Sequence, residues 1–364
     1  MEDKTRVLYI VEAMGGGVFT YIVDLANELV KSYDLYIAYA VRPQTPKNYR
    51  NYFDSRIHLI EVENFTRSIN IIKDIRAFFE IKNIANKVKP DIIHLHSSKA
   101  GALGRWALGE YRNSIFYTPH GYSFLMSNQN RVKRGVYRFI EMVSAKRGGT
   151  TISCSKGEHQ ETLKITDNAT YVDNGINIEE LSSILSNYEV KRKSTFTVFT
   201  VGRICNQKNP KLFNEIAELL PDIRFLWIGD GELRSELTAS NIEVTGWVER
   251  KEALEYSRSG DVFILTSLWE GLPMALLEAM YMRKVCIVSN VVGNRDVIQS
   301  GINGYLCDCI DDFCKAIKSA KNGDYPYLID KAYKDIVERY NTSVMAQKYN
   351  SIYIEKEMRK VKGK

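Results

Sequence analysis

The chain has 364 residues, of which 45% are hydrophobic and 26% charged, with a formal net charge of +6. That length exceeds what a single hydrophobic core usually supports, so two globular domains are expected, and the composition excludes a disordered or fibrous chain. A modest positive charge, with neither a basic stripe of interleaved aromatics nor a known recognition module, speaks against nucleic acid as a partner. No stretch approaches the roughly 18 apolar residues of a membrane-spanning helix. Met1 to Arg6 is charged and Val7 to Val11 is too short for the apolar core of a signal peptide, so a cytoplasmic protein is expected. The six cysteines are scattered, as reduced and mostly buried thiols would be. Cys307, Cys309 and Cys314 have metal-like spacing but lack a fourth ligand and a knuckle turn.

Arg6 to Val11 reads as a strand that runs through Glu12 to Gly17 into a helix over Val18 to Lys31. Strand, glycine turn and helix open a doubly wound α/β domain. The G-x-G-x-x-G order is missing, so no dinucleotide site is expected, and Gly15 to Gly17 would let the backbone approach some other ligand closely. Strands follow at Asp34 to Val41 and Ile57 to Val62. An amphipathic helix at Ile69 to Val88 counts Phe78 and Phe79 among its apolar positions. Pro90 to His96 is a strand whose alternation puts His94 and His96 on one face, without the third ligand a metal would need. A strand ending at Thr118 turns at His120-Gly121, at the carboxyl end where α/β sheets place ligands. Arg131 to Arg147 alternates basic residues with Val136, Tyr137, Phe139, Ile140, Met142 and Val143. Such a helix suits an anionic headgroup layer, and it could also pack on the first domain with a solvated basic face. Thr150 to Ser155 is a strand and Asn174-Gly175 a turn. The domain boundary should fall between Asn177 and Ser194, where Lys191 to Ser194 reads as a linker.

In the second half, Phe196 to Val201 is a strand that runs into Gly202 to Pro210. Ile223 to Gly229 is another, before a helix over Glu232 to Ala239, and Ile242 to Arg250 is a strand and turn. Asp261 to Thr266 is a buried strand, followed by Ser267 to Glu278 with a helix over Pro273 to Tyr281. This strand, glycine turn and helix leave free N–H groups facing an anion. Glu270 and Glu278 flank the turn. A carboxylate repels phosphate oxygens but accepts hydroxyl protons well from a vicinal diol. Two diols joined through a diphosphate describe a nucleotide sugar. Val285 to Ser289, Gly293 to Arg295 and Gly301 to Leu306 come next, then helical spacing over 313–320, 327–339 and 344–358.

Glu270 and Glu278, with seven residues and Gly271-Leu272-Pro273 between them, resemble the E-x7-E motif of retaining glycosyltransferase family 4. Further similar segments are Pro119-His120-Gly121, Asn174-Gly175-Ile176, Gly202-Arg203 with Lys208-Asn209, and Gly301 to Leu306. The resemblance spans essentially the whole chain. It implies a GT-B fold, two Rossmann-like doubly wound α/β domains facing each other across a cleft. Residues 1–180 would bind the acceptor, 181–340 the nucleotide sugar, and the helix and tail at 341–364 would cross back to the first domain.

It also implies a site with His120, Arg203, Lys208 and Glu270 as catalytic residues. The donor would lie against Gly16, Gly17, Gly202, Arg203, Lys208, Val248, Arg250, Glu270, Gly271, Leu272, Pro273 and Glu278. In that reading Arg203 and Lys208 grip the diphosphate, because phosphates beside two carboxylates need cations between them. Glu270 orients sugar hydroxyls, Glu278 holds the ribose diol, the turn at Val248 to Arg250 holds the base, and His120 faces the sugar. The small residues of Ser97 to Gly101 would leave room for the acceptor. No Asp-x-Asp occurs, so no metal and no resident cofactor are expected beyond the co-substrate, a UDP-sugar.

The implied reaction is retaining transfer of a hexose or N-acetylhexosamine to a sugar acceptor. A polyprenyl-diphosphate-linked saccharide in capsule or exopolysaccharide synthesis, at the inner face of the membrane, fits relatives of this length. A UDP-sugar 2-epimerase of the same fold would need carboxylate bases beyond Glu270 and Glu278. A non-catalytic partner subunit would usually lack the cation pair or a Glu, whereas all four are present, and a pyridoxal-phosphate phosphorylase would need a cofactor lysine and extra length.

Overall fold

Val7, Tyr9 and Val11 of β1 (Arg6–Val11) point to one side of a sheet and Leu8 and Ile10 to the other, and all are buried. A strand buried on both faces belongs inside a parallel sheet covered by helices on both sides. The computed structural model, which describes residues 4–12, 14–42, 45–66, 70–126, 129–186, 195–323 and 325–362, has that arrangement twice.

The described residues of 1–125, 129–174 and 342–364 form one compact unit. After β1 come α1 (Gly16–Leu29), β2 (Asp34–Tyr39), β3 (His58–Glu61), α2 (Ile71–Val88), β4 (Ile92–His96), α3 (Ser98–Ala107) and β5 (Ile115–Thr118). Then α4 (Arg131–Ala145), β6 (Thr150–Ser153), α5 (Lys156–Leu163) and β7 (Ala169–Tyr171) follow. Among the described residues the sheet has seven parallel strands in the order β3-β2-β1-β4-β5-β6-β7.

The described residues of 126–128 and 175–341 form the other unit. It holds α6 (Ile178–Ser186), β8 (Thr197–Val201), α7 (Pro210–Leu219), β9 (Arg224–Ile228), β10 (Ile242–Val244), α8 (Arg250–Ser259), β11 (Val262–Leu265) and α9 (Met274–Tyr281). It ends with β12 (Val285–Ser289), α10 (Asn294–Val297), β13 (Tyr305–Cys307), α11 (Ile310–Lys321) and α12 (Pro326–Glu338). Its described strands, six and all parallel, run β10-β9-β8-β11-β12-β13. The last helix, α13 (Thr342–Lys362), returns to the first unit and packs on α1 through Met345, Tyr349 and Tyr353.

Several expectations are corrected. The helix over Glu232 to Ala239 is absent: only a single 3-10 turn forms at Arg234–Glu236. The Asn214 side-chain oxygen takes the Thr238 and Ala239 N–H groups at 2.7 and 2.8 Å, so those amides are unavailable for a helix. Two glycines of the helix after β4 lie close against the sheet. A Cβ on Gly101 would lie 2.3 Å from the Tyr117 ring, and one on Gly104 2.5 Å from Leu95. Phe79 faces solvent, because the packed stripe of α2 runs through Ala77, Ile81, Ala85 and Val88. Ile178–Ser186, inside the segment expected to join the domains, is a helix, and the Lys191 to Ser194 stretch lies outside the described residues. Among the described residues no helix is long and apolar enough to cross a membrane.

Candidate active site

In an open parallel sheet, the loops leaving two neighbouring strands at the point where strand order reverses splay apart and leave a crevice. In the second unit that point lies between β8 and β11. The loop after β8 carries Gly202, Arg203 and Lys208, and the loop after β11 carries Glu270 and Gly271. The two loops are tied together. Leu268 N–H donates to Gln207 O at 2.8 Å, the Thr266 hydroxyl to Lys208 O at 2.7 Å, and the Gln207 amide to Trp269 O at 3.0 Å. Lys208 Nζ then reaches Glu270 Oε1 at 2.7 Å, with Gln207 Nε2 3.3 Å from the other carboxylate oxygen. Glu270 is only 6% exposed. A buried carboxylate needs such a partner, because desolvation without one would cost several kcal/mol, ~3–5 by analogy with broken buried pairs.

Close backbone approach builds the rest of the rim. Gly202 has φ +143°, and a Cβ on Gly229 after β9 would sit 2.3 Å from Gly202 O. A Cβ on Gly293, after β12, would sit 2.3 Å from Gly271 O. Only glycine lets these loops touch. Leu272 and Pro273 are buried, and Pro273 precedes α9 as its cap rather than opening its first turn. The first turn of α9 has no side-chain cap; Leu276 N–H turns back to Pro273 O at 3.1 Å, which leaves those of Met274 and Ala275 for an anion. Glu278, one turn further, accepts from Arg250 Nη1 at 2.6 Å, and Arg250 is the first residue of α8. Arg203 leans the other way. Its guanidinium holds Glu232 at 2.8 to 3.0 Å, beyond Gly231, and both side chains keep solvent exposure. Val248 is half-buried on the turn between β10 and α8.

The first unit has its own switch point, between β1 and β4. Gly16 and Gly17, after β1, are exposed, and Gly16 has φ +57° with open space where a side chain would be. His94 and His96 of β4 do lie side by side, ring centroids 4.1 Å apart. Their partners are protein groups. His94 bonds Tyr353 Oη at 2.6 Å and Thr118 Oγ1 at 2.8 Å, while His96 Nδ1 lies 3.0 Å from Nε2 of His120. His120, just past β5, has φ +56°, a conformation that costs a non-glycine residue about 1 kcal/mol or more. The neighbouring Gly121 N–H is held by Glu158 of α5 at 2.7 Å, which keeps the turn in place.

The structure thus gathers Gly202, Arg203, Lys208, Val248, Arg250, Glu270, Gly271, Leu272, Pro273 and Glu278 along the carboxyl ends of β8, β10 and β11. Gly16, Gly17 and His120 lie at the carboxyl ends of β1 and β5 in the first unit. Sequence reading missed Gln207, Gly293, Glu158 and the partnership of His96 with His120.

Burial pushes the imidazoles of His94 and His96 well below their usual range, and brings His120 down to about 3. All three stay neutral in the folded chain, whereas an unfolded chain protonates them near pH ~6.5. As pH falls below that value the unfolded state binds more protons, so stability is lost toward acid and retained above. The thermal midpoint should therefore drop between about pH 7 and about pH 5, and a His120→Asn variant should show a shallower slope. Equal slopes would show that His120 contributes nothing to the acid sensitivity.

Residues 15–180 match the model described as Glycosyltransferase Family 4, and residues 195–321 match Glycosyl transferases group 1. A protein of Escherichia coli named UDP-Gal:alpha-D-GlcNAc-diphosphoundecaprenol alpha-1,3-galactosyltransferase is 31% identical over 338 residues, 84% of this chain and 86% of that one. A Campylobacter jejuni protein, an alpha-1,4-N-acetyl-D-galactosaminyltransferase named for a diphosphate-undecaprenol-linked acceptor, is 24% identical over 86% of this chain and 87% of its own. Among solved structures, Anabaena HepE in complex with UDP and glucose is similar with a TM-score of 0.78 at 14% identity, over 96% of this chain and 100% of that one. Sucrose-phosphate synthase from Thermosynechococcus elongatus is similar with a TM-score of 0.80 at 15% identity, over 97% and 99%. With the E-x7-E carboxylates at the switch point of a second doubly wound sheet, these matches show that the chain belongs to glycosyltransferase family 4 and has the GT-B fold.

Proposed function

We propose that the chain moves a hexose or N-acetylhexosamine from a UDP-linked donor to a polyprenyl-diphosphate-linked saccharide, with retention at the anomeric carbon. The observation that carries this is the pairing of Lys208 with Glu270 at the β8/β11 switch point, beside the open N-terminus of α9. A diphosphate there would meet one ammonium, one guanidinium within the same loop and the backbone N–H groups of Met274 and Ala275, while Glu270 would take sugar hydroxyls. In the transfer, a bond forms between the acceptor oxygen and the anomeric carbon, and the bond from that carbon to the diphosphate oxygen breaks. The acceptor proton passes to the departing phosphate on the same face. Charge growing on the leaving group is what Arg203, Lys208 and the α9 amides would stabilise.

The names of the two bacterial relatives motivate the acceptor class and make UDP-galactose a first donor to try. The test is incubation of the chain with a panel of UDP-, GDP- and dTDP-sugars and a lipid-diphosphate-linked N-acetylglucosamine, with the product's anomeric configuration read by NMR. A product of the donor's own configuration supports the proposal, and an inverted one overturns retention. An epimerised sugar from donor alone would replace the reading with a 2-epimerase. Glu278→Ala should raise the donor KM about tenfold with little change in kcat, as expected for a group that binds ground and transition states alike. Unaltered donor affinity would remove the ribose assignment.

We further propose that the first unit rests on an anionic membrane surface through α4. The inward side of this helix is polar, with Glu141 and Ser144 buried, while Val132, Val136 and Phe139 face outward at 76%, 50% and 66% exposure. Arg131, Lys133 and Arg138 are exposed on the same helix. Apolar groups turned outward among cations suit a headgroup layer better than water. Two helices along, α2 exposes Ile71, Ile72, Ile75 and Phe79. The chain should float with anionic vesicles at low salt, and less so at physiological salt or as a Val136→Glu, Phe139→Glu variant. Absence of flotation at both salt concentrations would contradict this.

A further inference from the structure

His96 and His120 share one hydrogen bond, and only one of them can supply its proton. Nδ1 of His96 lies 3.0 Å from Nε2 of His120, with the ring planes 23° apart. Both imidazoles are kept neutral by burial. A neutral imidazole carries one proton, so the choice of donor decides the tautomer of both rings. If His120 were the donor, the proton of His96 would sit on its Nε2. That atom is buried and has no hydrogen-bond partner among the described residues. A buried N–H without an acceptor is the rarer and costlier orphan, whereas a bare ring nitrogen there leaves no donor stranded.

We propose that His96 is a positioning residue that sets the tautomer of His120: His96 donates from Nδ1 to Nε2 of His120, which leaves the His120 Nδ1–H as the donor offered to a sugar oxygen. This rests on the reading of His120 as an active-site residue. Neighbouring groups hold His96 in place. Tyr9 and His94 flank its ring at 4.9 and 4.1 Å. His94 is fixed in turn by Tyr353 of α13 and by Thr118. Tyr21 sets its ring edgewise to His120 at 4.6 Å and donates its hydroxyl to Tyr349 of α13 at 2.6 Å. Tyrosines of α13 thereby brace the histidines of β4 and of the turn after β5.

The test is a long-range 15N–1H NMR correlation on the labelled chain, whose five histidines can be assigned by single substitution. His120 is expected as the Nδ1–H tautomer and His96 likewise. A native His120 protonated on Nε2 overturns the proposal, whatever the variants do. His96→Leu should release the His120 tautomer and lower kcat on the order of tenfold, with donor KM little changed. His96→Asn keeps an N–H near the position of Nδ1, so it should restore the tautomer and recover most of the lost turnover. A tautomer unchanged in His96→Leu also overturns the proposal. If the tautomers are as expected but His120→Ala turns over like the native chain, the active-site reading of His120 fails and the proton assignment stands.

Discussion

Replacing Arg203 by alanine should lower turnover at saturating substrates by about 100-fold, near 3 kcal/mol of transition-state stabilisation, and leave the thermal midpoint where it is. The two halves of that expectation come from one geometry. Arg203 stands on the loop after β8 and, among the described residues, pairs with Glu232, whose side chain is 51% exposed. An ion pair that open to water contributes little to the fold, so its loss should not be felt in stability. A diphosphate in the switch-point crevice would recruit the same guanidinium, and charge would accumulate there as the bond to the anomeric carbon breaks. Lysine at this position would restore the charge but not the planar fork, so Arg203→Lys should recover only part of the loss. Native turnover in Arg203→Ala, measured with an established donor and acceptor, would remove Arg203 from the mechanism.

The second large effect belongs to the pair beneath it. Lys208→Met should reduce kcat/KM on the order of 100-fold, and it should also destabilise the chain by ~3 kcal/mol, because the Glu270 carboxylate loses its cation while staying buried. Glu270→Gln should impair activity to a similar degree with a smaller stability cost, since the amide can still bond Gln207. Combining the two should return much of the stability and none of the activity. A double variant with additive stability losses would mean that the ion pair is not the reason Lys208 matters to the fold. A double variant with recovered activity would mean that the pair is structural only.

The chemistry of the second unit is written in local order. Strand, glycine loop and helix recur after β8 and β11, and the spacing of Glu270 and Glu278 puts one on the loop before α9 and the other on α9 itself. What the order of residues could not convey is contact across long separations. Gln207 is a loop glutamine without any periodic signal, and it matters because the β11 loop, about sixty residues on, folds over it. His96 looked like a strand residue beside His94. Its partner became visible only through the register that sets His96 opposite Thr118, two residues before His120. The helix missed at α8 has the sequence Arg-Lys-Glu-Ala-Leu-Glu-Tyr-Ser-Arg-Ser, in which only Leu254 and Ser257 are buried, so its apolar stripe is too thin to read. The helix expected at Glu232 to Ala239 failed for the opposite reason. Its helical spacing is overruled by the distant Asn214 side chain.

The central claim is that one end of the second sheet is a pocket for an activated sugar, built by Arg203, Lys208, Glu270 and Glu278. Calorimetric titration of UDP into the native chain, Arg203→Ala and Glu278→Ala tests it most directly. The account predicts one UDP per chain, with affinity reduced at least tenfold in each variant, about 1.4 kcal/mol. Binding of UDP with native affinity in both variants, or no binding to the native chain, would contradict it.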